Sequence, residues 1–276
     1  MMTQRTTVIL PNKTYLALPL FALILSFSTA ALAQDALQSR PEWAQFFEKY
    51  DAIGTMVVVD ERVSPSRSSA YNVSRAEQRF SPASTYKIPH ALFALDAGLV
   101  TDEFQTFEWD GAVHSYAPQN QDQNLRSAMR NSALWVFEIF AAELGEAKSR
   151  EYLQKIQYGN QDPGTDAGAY WVEGDLAVSA TEQVAMLQRL YRNELPFSVE
   201  HQLLVKDVLI NQAEKDWILR AKTGWQSVYG WWVGWVERVD GPVFFALNID
   251  TPNGMADVYK REAIATEVLR SIQALP

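Results

Sequence analysis

The chain has no cysteine among its 276 residues. That excludes a disulfide framework, thiolate nucleophiles and cysteine-held metals, and it spares an exported chain from mispairing in an oxidising compartment. Histidine is nearly as scarce: His90, His114 and His201 stand apart, without metal-ligand spacing, and read as surface or structural residues with no metal to hold. Basic residues are in deficit, 24 against 33 acidic, for a net charge of −9. That balance argues against nucleic acid and anionic membrane as partners. No internal repeat, low-complexity stretch or Gly/Ser linker divides the sequence. Beyond the N-terminus no apolar run is long enough to cross a bilayer.

The one long apolar run lies at the start. Arg5 and Lys13 carry positive charge, residues 15–27 are almost wholly apolar, and Ala31-Leu32-Ala33 fits a small-x-small cleavage site. The pattern predicts an export signal over residues 1–33, removed before Gln34. A retained anchor is the alternative, and the run is short for a span of about 20 residues. Cleavage would leave 22 basic and 33 acidic residues, a net charge of −11, on a soluble chain. Residues 34–276 suffice for one domain with a large core.

Short β-branched or aromatic runs occupy both ends of that domain. Thr55 to Asp60 and Arg67 to Asn72 read as strands, as do Ile218 to Thr223, Tyr229 to Val236 and Val243 to Ile249. The late gaps are short and hold Gly224, Gly230 and Asp240-Gly241-Pro242, which predicts antiparallel hairpins. Between them the pattern is helical: Ala91 to Ala97 stops at Gly98, Leu125 to Leu144 stops at Gly145, and Ser179 or Thr181 caps a helix. A last amphipathic helix spans about Tyr259 to Leu275. The expected fold is α/β of the α+β type. An antiparallel sheet is built from both termini (34–80 with 215–276) and flanked by helices, and a mainly helical lobe (81–214) is inserted into it. A cleft between lobes is where small-molecule sites form.

The chemistry begins at Ser84-Thr85-Tyr86-Lys87. A serine and a lysine three residues apart share one face of a helix, which puts a weak nucleophile beside an amine that can take its proton. Ser81-Pro82 places Ser84 at the helix start, where backbone N–H groups favour a developing negative charge. Pro89 is tolerated only if the regular helix begins at about Thr85. Ser-x-x-Lys alone is equally a capping serine with a solvated lysine. Lys222-Thr223-Gly224 on a late strand is the more specific signal: a cation and a hydroxyl suited to a carboxylate, and a glycine that lets a ligand approach the backbone. Its plain alternative is an edge lysine that keeps the sheet soluble. Ser132-Ala133-Leu134 and Tyr158-Gly159-Asn160 lie between these motifs. The tryptophans at 225, 231, 232 and 235 read as core and cleft packing. Asp250, Asp257 and Glu262, near Arg261, read as solvated charges.

In this order the motifs resemble the class D serine β-lactamases, over essentially the whole chain after the signal. Class A enzymes carry Ser-Asp-Asn where this chain has Ser-Ala-Leu, and Tyr-Gly-Asn followed by Trp171 is the class D pattern. The resemblance implies a serine β-lactamase and penicillin-binding transpeptidase fold that hydrolyses β-lactam antibiotics in the periplasm. It implies Ser84 as the acylated nucleophile and Lys87 as general base, carboxylated on its side-chain nitrogen by CO2 or bicarbonate and otherwise without a cofactor. Ser132 would pass a proton to the leaving nitrogen. Lys222, Thr223, Gly224 and Arg261 would hold the substrate carboxylate, with Leu134 lining the site. The backbone N–H groups of Ser84 and Trp225 would form the oxyanion hole, and Trp171 would bond the carbamate. It also implies that two copies can pair as a homodimer. A neutral amine is what CO2 requires, and burial of Lys87 beside Leu134 and Trp171 would supply it. Leu134 departs from the usual valine or isoleucine, and its longer side chain is expected to weaken CO2 retention. Two rivals share the first and last motifs: a membrane-bound penicillin sensor and a peptidoglycan transpeptidase, both acylated without turnover.

Overall fold

The computed structural model describes residue 2 and residues 37–165 and 168–276, and the expected export signal at 1–33 lies outside them. From residue 37 the chain enters through a two-residue strand, β1 (Gln38–Ser39), and a short helix, α1 (Ala44–Glu48). Strands β2 (Gly54–Asp60) and β3 (Arg67–Tyr71) then form an antiparallel pair, with Met56 opposite Tyr71. The helical stretch contains α2 (Val73–Ala76), α3 (Lys87–Asp96), α4 (Leu125–Arg130), α5 (Leu134–Ile156), α6 (Ala180–Tyr191) and α7 (Val199–Val208). Strands β4 (Ile210–Ala213), β5 (Trp217–Gln226), β6 (Tyr229–Arg238) and β7 (Gly241–Asp250) follow, and α8 (Tyr259–Ser271) closes the fold.

The seven strands make one sheet in the order β1-β3-β2-β7-β6-β5-β4. An N-terminal strand and the last strand therefore meet at its centre, where β2 pairs with β7 from Gly54 opposite Ile249 to Asp60 opposite Val243. The expected antiparallel pairing holds except at one edge, where β1 lies parallel to β3. β7 is an unbroken apolar run because both of its faces are covered. Phe244 and Ala246 face the core shared with α3, α5 and α6. Phe245 and Leu247, offset by one residue, face α8 and α1. Truncating fully buried Phe245 to alanine would cost about 3–5 kcal/mol.

Local signals explain the helix ends. Ser179 accepts from the Glu182 N–H and Glu182 accepts from the Ser179 N–H, a reciprocal cap that starts α6. Gly98, at φ 72°, takes the left-handed turn beyond α3. Pro89 falls in the first turn of α3, where its missing N–H removes no helical bond. Three expectations need correction. Residues 125–144 are not one helix, because Ser132 turns left-handed at φ 53° between α4 and α5. Gly145 kinks α5 at φ 68° instead of ending it, and the helix runs on to Ile156. Asp257 is buried, receiving Lys260 at 2.8 Å and the Asn253 N–H at 2.8 Å, while Asp250 pairs with Arg75 at 2.6 Å.

Candidate active site

Ser84 sits in a single 3-10 turn, Ala83–Tyr86, that runs directly into α3. The approach to that turn is tied down from three directions. Phe80 exchanges backbone hydrogen bonds with Val178, the Ser81 hydroxyl donates to the Trp171 carbonyl at 2.8 Å, and the Trp231 indole N–H donates to the Ser81 carbonyl at 2.8 Å. Ala83 is held at φ 47°, a conformation a non-glycine residue keeps only when its surroundings impose it. Behind the turn runs a buried relay. Tyr158 donates to Gln183 at 3.3 Å, Gln183 to the Thr85 hydroxyl at 2.7 Å, and Thr85 to the Pro82 carbonyl at 2.6 Å. A serine held this way would lose little further freedom in a reaction.

One turn on, the Lys87 ammonium donates to Ser84 Oγ at 3.0 Å. Lys87 is fully buried, its Nζ 5.2 Å from the centre of the Phe137 ring. Burial pulls its pKa from 10.5 down to about 7, so near neutrality about half of it is uncharged amine.

Across from the turn lies the second half of β5. Strand β4 pairs with β5 only through Ile218, Leu219 and Arg220. The Ala221 N–H still reaches out to the Leu209 carbonyl at 3.1 Å, and beyond it, among the described residues, that edge of β5 has no strand beside it. Backbone direction alternates along an antiparallel strand, so Thr223 and Trp225 aim their peptide groups to the same open side as Ala221. Gly224 lies against the nucleophile turn: a Cβ there would come within 3.0 Å of the Pro82 carbonyl and of Thr85 Cγ2. The left-handed turn at Ser132 is secured by Gln119, whose amide donates at 3.1 Å to the carbonyls of Asn131 and Ser132. Lys222 bridges the two parts, donating at 3.0 Å to Ser132 Oγ and to the Thr223 carbonyl.

Lys222 is almost fully buried, and its pKa is held well below the ordinary lysine value by burial first, then by the charges of Lys87 and Arg261. Arg261 crosses from α8 and donates to the Gly224 carbonyl at 2.7 Å. It passes over Gly230, where a Cβ would stand 2.7 Å from Arg261 Cδ. Burial lowers its pKa to about 10. Two basic side chains, Lys222 and Arg261, meet at this part of β5, and positive charge there favours an anionic ligand.

Trp171 is fully buried, and its indole Nε1 has no partner among the described residues. Its ring packs against His90 at 5.1 Å and Tyr86 at 5.6 Å, both on the nucleophile's own turn and helix. Leu134 opens α5 directly after Ser132-Ala133 and packs half-buried on the same core. Asn160 fixes the segment that carries Trp171, because it exchanges bonds with Ala177 and donates to the Asp175 carbonyl at 2.7 Å. Gly159, at φ 53°, lies so close to the Ala177 carbonyl that no side chain fits. Hydrogen bonds therefore pair Lys87 with Ser84, Lys222 with Ser132 and Thr223, and Arg261 with Gly224. Gln183, Thr85 and His90 join the site without any signal in the sequence; among the described residues buried His90 has both ring nitrogens unpartnered, and it is kept neutral by desolvation, then by Lys87.

Comparison with known proteins points the same way. The penicillin-binding protein transpeptidase domain family matches residues 48–270. Beta-lactamase OXA-20 of Pseudomonas aeruginosa is 61% identical over 259 residues, covering 92% of this chain and 97% of the relative. Beta-lactamase OXA-2 of Salmonella typhimurium is 58% identical, covering 95% and 96%. The crystal structure of FUS-1 (OXA-85), a class D beta-lactamase from Fusobacterium nucleatum, superposes with a TM-score of 0.82 at 35% identity, covering 87% of this chain and all of that one.

Proposed function

The chain belongs to the class D serine β-lactamases, and on that premise we propose that its hydrolysis of β-lactam antibiotics, the basis of resistance to them, runs through Ser84 and Lys87. The observation that carries the assignment is the buried Lys87 amine 3.0 Å from Ser84 Oγ. Ser84 Oγ attacks the lactam carbonyl as its proton passes to the base at Lys87, the carbonyl carbon–nitrogen bond breaks, the ring nitrogen takes a proton, and water then cleaves the Ser84 ester to release the opened product. Ser132 supplies that proton and is resupplied by Lys222, a role supported by the bond from Lys222 Nζ to Ser132 Oγ. The backbone N–H groups of Ser84 and Trp225 receive the oxyanion, one from the nucleophile turn and one from the open edge of β5. Each such donor contributes on the order of 3 kcal/mol. Lys222, Thr223, Gly224 and Arg261 hold the substrate carboxylate.

The residues also suit carboxylation of Lys87. A neutral amine adds to CO2 and releases one proton, and Lys87 is half neutral near pH 7. The unpartnered Trp171 N–H is the donor a buried carbamate would need. When formed, that group supplies a general base for proton removal, worth about 10²–10⁴-fold. Leu134 lines the same space. Among the described residues no helix is long and apolar enough to cross a membrane. Export to the periplasm through residues 1–33, and pairing of two copies, belong to the same reading.

The test mixes the protein with excess benzylpenicillin, with and without bicarbonate, and follows ring opening together with intact mass. Many turnovers, increased by bicarbonate, are expected. A stoichiometric mass gain on Ser84 with no turnover would make the protein a sensor or transpeptidase instead.

A further inference from the structure

The tip of β5 carries the second oxyanion donor, and its shape is set by a residue outside every motif. Thr251 follows β7 directly and is 1% exposed. Its hydroxyl accepts the Trp225 indole N–H at 3.2 Å and donates to the Ser227 carbonyl at 3.1 Å. Its backbone N–H donates to the Val228 carbonyl at 2.9 Å, and its carbonyl accepts from the Gly254 N–H at 2.9 Å. One buried side chain therefore binds both sides of the turn between β5 and β6. That turn needs holding, because Ser227 stands at φ 30°, outside the conformations a serine adopts freely. The Thr251 methyl fits the space left by Gly230, where a Cβ would lie 3.3 Å from it.

We propose that Thr251 is a positioning residue that fixes the Trp225–Val228 turn and so aims the Trp225 backbone N–H at the carbonyl attacked by Ser84. The inference rests on the reading of that N–H as an oxyanion donor. Thr251 touches no reacting atom; it acts through the two residues it bridges. The hydroxyl, and not the methyl, is the working part, since only the hydroxyl reaches both Trp225 and Ser227.

Thr251→Val keeps the shape and removes the hydroxyl, whereas Thr251→Ser keeps the hydroxyl. Steady-state kinetics on benzylpenicillin should show kcat lowered about tenfold in Thr251→Val with KM within about twofold, and kcat restored to within about threefold in Thr251→Ser. The acyl-enzyme formed with a slowly hydrolysed, carbonyl-labelled penicillin gives the second readout, its ester carbonyl band in the infrared. The wild-type band should lie below that of the same acyl-enzyme after denaturation, and Thr251→Val should move it back up. A lowered wild-type band left unmoved in Thr251→Val, or a Thr251→Ser variant as slow as Thr251→Val, overturns the inference alone. A wild-type band that is not lowered overturns the oxyanion reading and the inference with it. Should Thr251→Val fail to fold, Trp225→Phe removes the indole donor and leaves the turn's other bonds. Its kcat should fall about threefold with the same band movement, and wild-type values for both would overturn the proposal.

Discussion

Lys87→Met is expected to make the fold more stable while it abolishes turnover, because the structure holds an amine where a hydrocarbon would sit more favourably. The side chain is fully buried, and burial lowers its pKa from 10.5 to about 7. A folded value below the unfolded one means that the unfolded chain binds more protons between those two pH values. Stability contributed by this residue therefore rises with pH across the window. The penalty is full below about pH 7 and gone above about pH 10.5. At about 1.4 kcal/mol per pH unit the full penalty is about 5 kcal/mol, and at pH 7 about 4 kcal/mol remain. Methionine fills a similar volume without a charge to desolvate. For a chain of this size 1 kcal/mol moves Tm by about 2–4 °C, so the variant should melt on the order of 10 °C higher at pH 7. The assay is thermal unfolding of both proteins in CO2-depleted buffer at pH 6, 7, 8 and 10, followed by circular dichroism. The gain should be largest at pH 6 and shrink steadily towards pH 10. A variant no more stable than wild type at pH 6, or a gain that does not change with pH, refutes the reasoning.

The same titration governs carboxylation: between pH 8 and pH 6 the neutral fraction of Lys87 falls from about nine in ten to about one in ten. The dissolved CO2 giving half-maximal activity should therefore rise at least about tenfold over that range, and equal values at both pH values would refute it. Gly230→Ala places a Cβ 2.7 Å from Arg261 Cδ and pushes the guanidinium off the Gly224 carbonyl. KM for benzylpenicillin should rise about tenfold with kcat changed less, and an unchanged KM would remove Arg261 from the carboxylate site. Leu134→Val shortens the side chain that opens α5 and should reach full activity at lower bicarbonate than wild type. Identical bicarbonate curves for the two proteins would show that Leu134 does not crowd Lys87.

What could be seen in the sequence divides by the range of the forces involved. The Ser84–Lys87 pairing is a local fact, since three residues make about one turn whatever the rest of the fold does. The sheet was equally visible, because short runs of β-branched and aromatic residues mark 54–60 and 241–250. The break at Ser132 was not. Apart from Asn131-Ser132, residues 125–144 suit a helix, and the left-handed turn that separates α4 from α5 is held by a pair of hydrogen bonds from Gln119, 12 and 13 residues away in sequence. The same holds for Gln183 beneath Thr85, 98 residues distant, and for Thr251 at the tip of β5. A propensity describes what a segment prefers when its surroundings average out. The candidate site is built where they do not: Ala83, the residue before Ser84, and Ser132 both sit at positive φ. Neither would adopt that conformation alone, so the strain that positions the nucleophile and its proton relay has to be carried by partners remote in the chain. Sequence motifs therefore reveal the reacting groups more readily than the residues that aim them, and substitutions at Gln119, Gln183 or Thr251 should alter turnover without touching any motif.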